Sequence, residues 1–153
     1  MIEIYTDGSC HTQSCVGAWV AILFIDGEKI VLSGIATDTT NNRMELTAVI
    51  KAIECVRDKH SFAKAVRIVS DSQYVIGLVG RKEKFMASDF KTKAGNDIRN
   101  VDLVKQLLRL NKLIDVEYVK IKAHQQPTDE TNYNIEADIL ARQILRDTVS
   151  NIQ

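Results

Sequence analysis

The sequence lacks the long apolar segments and the paired cysteines that mark membrane and secreted proteins. Apolar runs such as residues 20–25 fall far short of the roughly 20 residues that a membrane span requires. The three cysteines, Cys10, Cys15 and Cys55, are an odd number without the spacing of a disulfide framework, which is typical of a reducing compartment. No apolar signal-peptide stretch precedes Asp7. We therefore expect a cytoplasmic protein that makes no contact with a membrane.

An excess of charge of one sign is also absent, and loop-forming residues are scarce. Twenty Lys and Arg residues balance twenty Asp and Glu residues, so any contact with nucleic acid has to be local. One proline and seven glycines leave no stretch that is typical of a linker. With 153 residues, of which 45% are hydrophobic and 26% charged, the chain is long enough to form one core. We expect a single domain over residues 1–153.

Hydrophobic periodicity predicts an α/β fold. Alternating residues predict strands that begin at Ile2 and cover residues 17–25 and 29–36, and the Asp26-Gly27 pair favours a hairpin between the last two. A helix is predicted from residue 42, followed by a strand over 66–70 and two helices over 72–78 and 103–114. A strand over 116–121 and a helix over 135–149 complete the predicted order. This order predicts a mixed sheet in which crossover helices lead to the later strands.

Four carboxylates lie at the ends of these elements: Asp7, Glu45, Asp71 and Asp138. Asp7 and Asp71 each follow a strand, while Asn42 with Glu45 resembles a capping box that would place Glu45 in the first turn of its helix. Because ligand clefts form at the carboxyl ends of strands, Asp7 and Asp71 would meet if their strands are neighbours. Taken singly, each acid could equally be a turn former or a helix cap.

A meeting of carboxylates indicates a metal site. Such groups resist ionising together unless a hard cation that prefers oxygen neutralises them, and Mg²⁺ meets that need. Two Mg²⁺ ions about 3.5 to 4 Å apart suit in-line displacement at phosphorus. No His or Cys pair has the ligand spacing of a zinc site, and neither a nucleophile elbow nor a glycine-rich phosphate loop occurs. The acids therefore favour hydrolysis of a phosphodiester.

Five short motifs contain these acids and their surroundings: YTDGSC at 5–10, TTNNRMEL at 39–46, SDSQYV at 70–75, VKIKAH at 119–124 and ADILA at 137–141. Together they resemble ribonuclease H type 1 in the family's order, over essentially the whole chain. The resemblance implies an RNase H-like α/β fold: a five-stranded mixed sheet, with an antiparallel front meander plus parallel strands, and helices on both faces. It also implies endonucleolytic hydrolysis of the RNA strand of RNA–DNA hybrids, which leaves 5′-phosphate and 3′-hydroxyl ends.

The resemblance assigns roles to individual residues. Asp7, Glu45, Asp71 and Asp138 match the family's metal ligands, which would hold two Mg²⁺ ions when substrate is present, with Mn²⁺ as an alternative ion. His124 matches a loop histidine that assists proton movement or product release. The positions that match substrate contacts are Ser9, Cys10, Gln13, Thr40, Asn41, Asn42, Gln73, Asn100 and Asn134. Gln13 stands where relatives usually have asparagine.

The amides among these residues suit the implied substrate. Asn41, Asn42 and Gln73 can donate to, or accept from, the 2′-hydroxyl that distinguishes RNA from DNA. Contacts to a nucleic-acid backbone position the substrate without selecting bases, so we expect little sequence preference.

Residues 80–99 carry a local excess of three positive charges, with Phe85 and Phe90 among the lysines. Bacterial relatives carry tryptophans on a basic protrusion in this region, so we predict a weaker contact with the hybrid. The contact should depend on salt, because neutralised phosphates release counterions. The alternative is a solvated charged face.

Two other functions remain open on the sequence. One is another carboxylate nuclease of the same broad fold, such as a junction resolvase or an integrase-like core, against which the Asn41, Asn42 and Gln73 amides argue. The other is an inactive hybrid-binding module, against which the presence of all four acids argues. We expect a monomer whose partner is an RNA–DNA hybrid.

Overall fold

A computed structural model describes residues 1–122 and 132–152, apart from the side chain of residue 152. Its strands are β1 (Ile2–His11), β2 (Val16–Ile25), β3 (Glu28–Ala36), β4 (Ala65–Ser70) and β5 (Asp115–Lys120). Its helices are α1 (Asn41–Lys59), α2 (Gln73–Gly80), α3 (Lys82–Ala87), α4 (Val101–Leu113) and α5 (Tyr133–Ile152). The short helix α3 was not predicted, because it lies within the charged segment at 80–99, where no apolar periodicity is present.

The strands form one mixed sheet in the order β3-β2-β1-β4-β5. β1, β2 and β3 pair antiparallel, while β4 is parallel to both β1 and β5. The turn between β2 and β3 contains Asp26 and Gly27 with φ of 50° and 82°, the left-handed conformation that such a hairpin requires. The predicted α/β fold with a mixed five-stranded sheet is confirmed.

Helices cover both faces of the sheet, so β2 is buried on both sides. Ala21 and Leu23 face the larger core, which they share with α1, α2 and α4. Val20 and Ile22 alternate with them and face α5, where they pack against Ala137 and Ala141. The two alanines are fully buried. Small residues at these positions let α5 lie close to β1 and β2.

Helix α1 begins at Asn41, one residue earlier than the sequence pattern indicates. Its N-cap is Thr40, whose hydroxyl accepts a hydrogen bond from the Arg43 N–H at 3.2 Å. The expected capping box at Asn42 and Glu45 is therefore wrong, since Asn42 lies within the helix and Glu45 beyond its first turn. A threonine two positions upstream satisfies the same orphan backbone donors.

Within residues 1–122 and 132–152, no helix is long and apolar enough to cross a bilayer.

Candidate active site

The pairing of β1 with β4 brings two of the predicted acids together. The strands are parallel and adjacent, with Tyr5 opposite Val69, so Asp7 and Asp71 lie side by side. The expectation that Asp7 ends its strand is wrong, because β1 continues to His11 through its pairing with β2. Asp7 is buried, and Asp71 is half-buried where β4 has just ended. The expectation that these strands are neighbours is confirmed. The pairing of these two strands therefore brings together two acids that are far apart in the sequence.

Gly8 allows helix α1 to approach β1 closely enough to place the third acid, Glu45, in the site. A Cβ at Gly8 would lie 2.5 Å from both the Glu45 nitrogen and the Met44 carbonyl carbon, so only a residue without a side chain permits this approach of β1 to α1. Glu45 is 8% exposed and accepts a hydrogen bond from the Gly8 N–H. The close contact of backbones thus places the Glu45 carboxyl beside Asp7.

The fourth acid comes from α5, on the opposite face of the sheet. The Asn132 side chain accepts hydrogen bonds from the N–H groups of Asn134 and Ile135 at 3.1 and 3.2 Å, which fixes the start of the helix. Asp138 follows the buried Ala137 and reaches hydrogen-bonding contact with the Asp7 carboxyl. Asp7 is therefore the residue at which all four carboxylates converge.

Burial and mutual repulsion keep protons on this cluster. Loss of solvation raises the pKa of Asp7, and the neighbouring charges of Asp71 and Asp138 raise it further. Loss of solvation also raises the pKa of Glu45, and the adjacent Asp7 adds to the effect, so Glu45 is the protonated partner that donates to Asp7. Four carboxylates do not ionise together here without an added positive charge.

The donor set fits a hard divalent cation. Ligand oxygens of Asp7, Glu45 and Asp71 all lie within 4.8 Å of one another. One oxygen of Glu45, Oε2, is buried and has no hydrogen-bond partner among the residues that the structure describes. A buried acceptor without a donor is costly in a folded protein, and a cation ligated by oxygen would satisfy it. Within residues 1–122 and 132–152, these three residues, with Asp138 beside Asp7, could hold a metal ion.

Arg142 brings a positive charge to the edge of the carboxylate cluster. One helical turn after Asp138, its Nε donates to Asp138 Oδ1 at 3.1 Å and its Nη2 donates to Oδ2. This pairing raises the pKa of Arg142, and the charge of the nearby Asp7 raises it further. The residue was not among the predicted site residues, although its i,i+4 spacing from Asp138 is visible in the sequence.

The carboxylates form the floor of a cavity of about 540 Å³. Four predicted substrate contacts line it: Ser9, Asn41, Asn42 and Gln73. Asn41, Asn42 and Gln73 are exposed at the beginnings of α1 and α2, so their amides stand free of the core beside the acids. Ser72 and Tyr74 also line the cavity. Both lie in the SDSQYV motif, but neither was a predicted substrate contact.

The other predicted substrate contacts lie outside this cavity. Cys10 is half-buried, and its Sγ donates to the Thr39 carbonyl at 3.4 Å. Gln13 is exposed in the turn after β1, and Thr40 caps α1. Asn134 is 5% exposed, and its Oδ1 has no partner within the described ranges. His124 falls in the segment 123–131, outside the described residues.

Asn100 belongs to a network that joins the beginnings of three helices. Arg43 of α1 donates to Asp102 of α4 through both terminal nitrogens, at 3.0 and 2.8 Å, and to Asn100 Oδ1 at 3.4 Å. Asn100 has φ of 57° and donates to the Tyr74 hydroxyl of α2 at 3.0 Å. Hydrogen bonds from Arg43 lower the pKa of Asp102 to about 2. The network ties the wall that bears Tyr74 to α1 and α4.

The segment at 80–99 folds its aromatic residues inward. Phe85 is 3% exposed and stacks on the half-buried Phe90, with ring centroids 6.1 Å apart. The pair is a packing contact, not an exposed interleaving of rings with lysines. Lys91 also pairs with Asp97 at 2.5 Å, so one positive charge of the segment is already compensated.

Comparison with known proteins identifies the family. The RNase H family model matches residues 1–146. A protein named Ribonuclease H from Anaplasma marginale (strain St. Maries) is 41% identical, over 92% of this chain and 88% of its own. Proteins of the same name from Thermoanaerobacter sp. (strain X514) and Chlorobium phaeobacteroides (strain DSM 266 / SMG 266 / 2430) are 37% and 36% identical, over 99% and 95% of this chain and 94% and 95% of theirs. The predicted resemblance is confirmed, and with it the expectation of a ribonuclease H enzyme. The chain belongs to the ribonuclease H family.

Proposed function

We propose that this protein hydrolyses the RNA strand of RNA–DNA hybrids at the four-carboxylate site, as one domain over residues 1–153. The observation that carries the proposal is the meeting of Asp7, Glu45 and Asp71 within 4.8 Å, with the buried Glu45 oxygen unpartnered in the described part of the chain. The cluster offers only oxygen ligands, and its carboxylates stay partly protonated unless a cation neutralises them. Both properties favour a pair of Mg²⁺ ions, with Mn²⁺ as a substitute.

Asp7 is the central ligand in this proposal, since it contacts both Glu45 and Asp138. Glu45, Asp71 and Asp138 would hold the ions together with it. When bound, such a pair activates a water molecule and stabilises the leaving oxygen, so that cleavage yields a 5′-phosphate and a 3′-hydroxyl. Glu45 has to release its proton when a cation binds, because only the ionised carboxylate is a good ligand.

The wall of the cavity supports an RNA-containing substrate. Asn41, Asn42 and Gln73 present exposed amides beside the acids, where they would hydrogen-bond to 2′-hydroxyl groups and to the minor groove. The proposed phosphate contacts of Thr40 and Asn100 lie further along the same side, at the beginnings of α1 and α4. Ser9, Cys10, Gln13 and Asn134 extend the proposed contacts, and His124 would assist proton movement or product release.

The experiment compares three labelled substrates in Mg²⁺: an RNA–DNA hybrid, a DNA duplex and a four-way junction. The parent should cut only the RNA strand of the hybrid, and the product ends should accept a 3′-specific ligation and resist a 5′-kinase until they are dephosphorylated. A DNA substrate that is cut while the hybrid stays intact would favour the resolvase-like alternative.

Asp7→Asn tests the site itself. The variant should retain its fold and lose turnover by a factor of 10³ or more on the scale of lost catalytic electrostatics. Asp26→Asn is the matched control, because it makes the same change in the exposed β2–β3 turn and should cut at the parental rate. Parental activity in Asp7→Asn would refute the assignment.

A further inference from the structure

A groove of about 450 Å³ beside the cavity has no part in the proposed chemistry. Its walls are Ser9 at the end of β1 and four residues of α5, which are Ile139, Arg142, Leu145 and Arg146. Ser9 and Arg142 also line the carboxylate cavity, so the two depressions are continuous. Anything long that lies across the four acids and leaves the cavity past Asp138 enters this groove.

Positive charge increases along this path. Asp138, Arg142 and Arg146 follow one another at intervals of four residues, about 6 Å each along one side of α5. The charge of Arg142 is compensated by Asp138, whereas Arg146 is exposed and has no ion-pair partner in the described ranges. None of the residues that line the groove is an acid. The groove therefore carries an uncompensated guanidinium one turn beyond Arg142 and two turns beyond Asp138.

The remaining lining is apolar. Ile139 is 55% exposed, one of the largest exposures of an apolar side chain among the described residues, and the buried Leu145 lies between the two arginines. A guanidinium beside an apolar surface matches a sugar–phosphate chain, in which a phosphate accepts two hydrogen bonds and the ribose presents its carbon atoms. A solvated charged face would need no such apolar floor.

We propose that this groove is a subsite for the nucleic-acid strand that is being cut, and that Arg146 binds a phosphate of that strand a short distance from the scissile position. The inference rests on the proposed function, because it takes the strand across the carboxylates as its starting point. Phosphate contacts of this kind position a substrate without reading its bases.

The test is the binding of a fluorescent RNA–DNA hybrid to the full chain in Ca²⁺, measured between 50 and 200 mM salt by anisotropy. Arg146→Ala should weaken binding about fivefold at the lowest salt and reduce the slope of log K against log salt by about 0.9, the loss of one phosphate contact. Arg146→Lys should recover part of the affinity, since it keeps the charge without the planar fork. Thermal unfolding should show that the variants are folded.

Arg109→Ala is the matched control, because Arg109 is also exposed, lies on α4 and lines neither depression. A loss of affinity equal to that of Arg146→Ala would overturn the proposal, since the effect would then be one of overall charge. Hybrids truncated on either side of the cut provide a second criterion: the effect of Arg146→Ala should disappear for one truncation and persist for the other. Persistence in both would also overturn it.

The outcome separates this inference from the proposed function. Parental affinity in Arg146→Ala, with firm hybrid binding by both proteins, overturns the subsite alone. Failure of the parent to bind the hybrid overturns both.

Discussion

Substitution of Gly8 by alanine should damage both the fold and the metal site, because α1 and β1 touch through their backbones at this point. The added methyl group would lie 2.5 Å from two α1 backbone atoms, Met44 C and Glu45 N, and 2.8 Å from the Met44 Cβ. Ordinary contact between such atoms requires roughly 3.5 Å or more, so the beginning of α1 has to retreat by roughly 1 Å. Backbone atoms cannot rotate out of the way as a flexible side chain would.

The expected cost of Gly8→Ala is that of an overpacked core, about 1–3 kcal/mol of the free energy of unfolding. It is reduced by about 0.5–1 kcal/mol, because alanine loses less backbone entropy on folding than glycine. The same shift draws Glu45 away from Asp7, and a misplacement of about 1 Å at a catalytic group costs on the order of 10²-fold in rate. We therefore expect a lower urea midpoint, weaker stabilisation by Mg²⁺ and a large loss of hybrid cleavage.

Gly77→Ala is the control for this experiment. Gly77 lies in α2, and a Cβ there would meet only the Gln73 Nε2 atom, at 3.9 Å, so the substitution should stabilise the protein by about 0.5–1 kcal/mol. Urea unfolding with and without Mg²⁺ measures both variants. If Gly8→Ala has the parental urea midpoint and the parental stabilisation by Mg²⁺, the close approach of the two backbones does not position Glu45.

Two further predictions concern the ionised groups. Asp102→Asn should lower the free energy of unfolding by about 0.2–1 kcal/mol at pH 7, the usual range for an exposed pair. The difference from the parent should shrink as the pH falls from about 4 and be lost as the pH passes through the folded pKa of about 2; a difference as large at pH 2 as at pH 7 would contradict the Arg43 pairing. In the metal-free protein, the raised pKa values of Asp7 and Glu45 mean that the folded state holds protons which the unfolded chain releases above about pH 4. The free energy of unfolding should therefore decrease as the pH rises through the range in which these carboxyls ionise, and saturating Mg²⁺ should remove the decrease and release protons that calorimetry in different buffers detects. Binding of Mg²⁺ without proton release would refute the raised pKa values.

The arginines of the site show why charge is hard to interpret from sequence alone. Arg43 lies inside the TTNNRMEL motif, yet its guanidinium points to Asp102 and Asn100 instead of the acids of the cavity. Arg142 lies outside the ADILA motif and pairs with the last carboxylate. The Arg43 pairing depends on the beginnings of α1 and α4 being neighbours, whereas the Arg142 pairing lies within α5, and only the packing of α5 places it beside the other acids.

Burial decided the character of the segment at 80–99. Two phenylalanines among lysines are compatible with an exposed nucleic-acid contact or with a small core, since both arrangements use the same residue types. In the structure, α3 turns Phe85 inward against Phe90, and Arg81 lies over the Phe85 ring at 4.8 Å. The salt-dependent contact remains a prediction that rests on the charges of this segment and not on its rings.

The sequence alone determined the types of the elements other than α3, the family and the four acids. Strand alternation, helical periodicity and the Asp26-Gly27 turn are encoded within a few residues, and the motifs carry the chemistry at fixed spacing. Only the tertiary structure decided which groups meet: Asp7 and Asp71 through the pairing of β1 with β4, Glu45 through the missing side chain of Gly8, and Asp138 with its counter-ion Arg142 through the packing of α5. Contacts between residues far apart in the chain depend on strand order and on the shapes of packed faces, and local patterns do not contain that information.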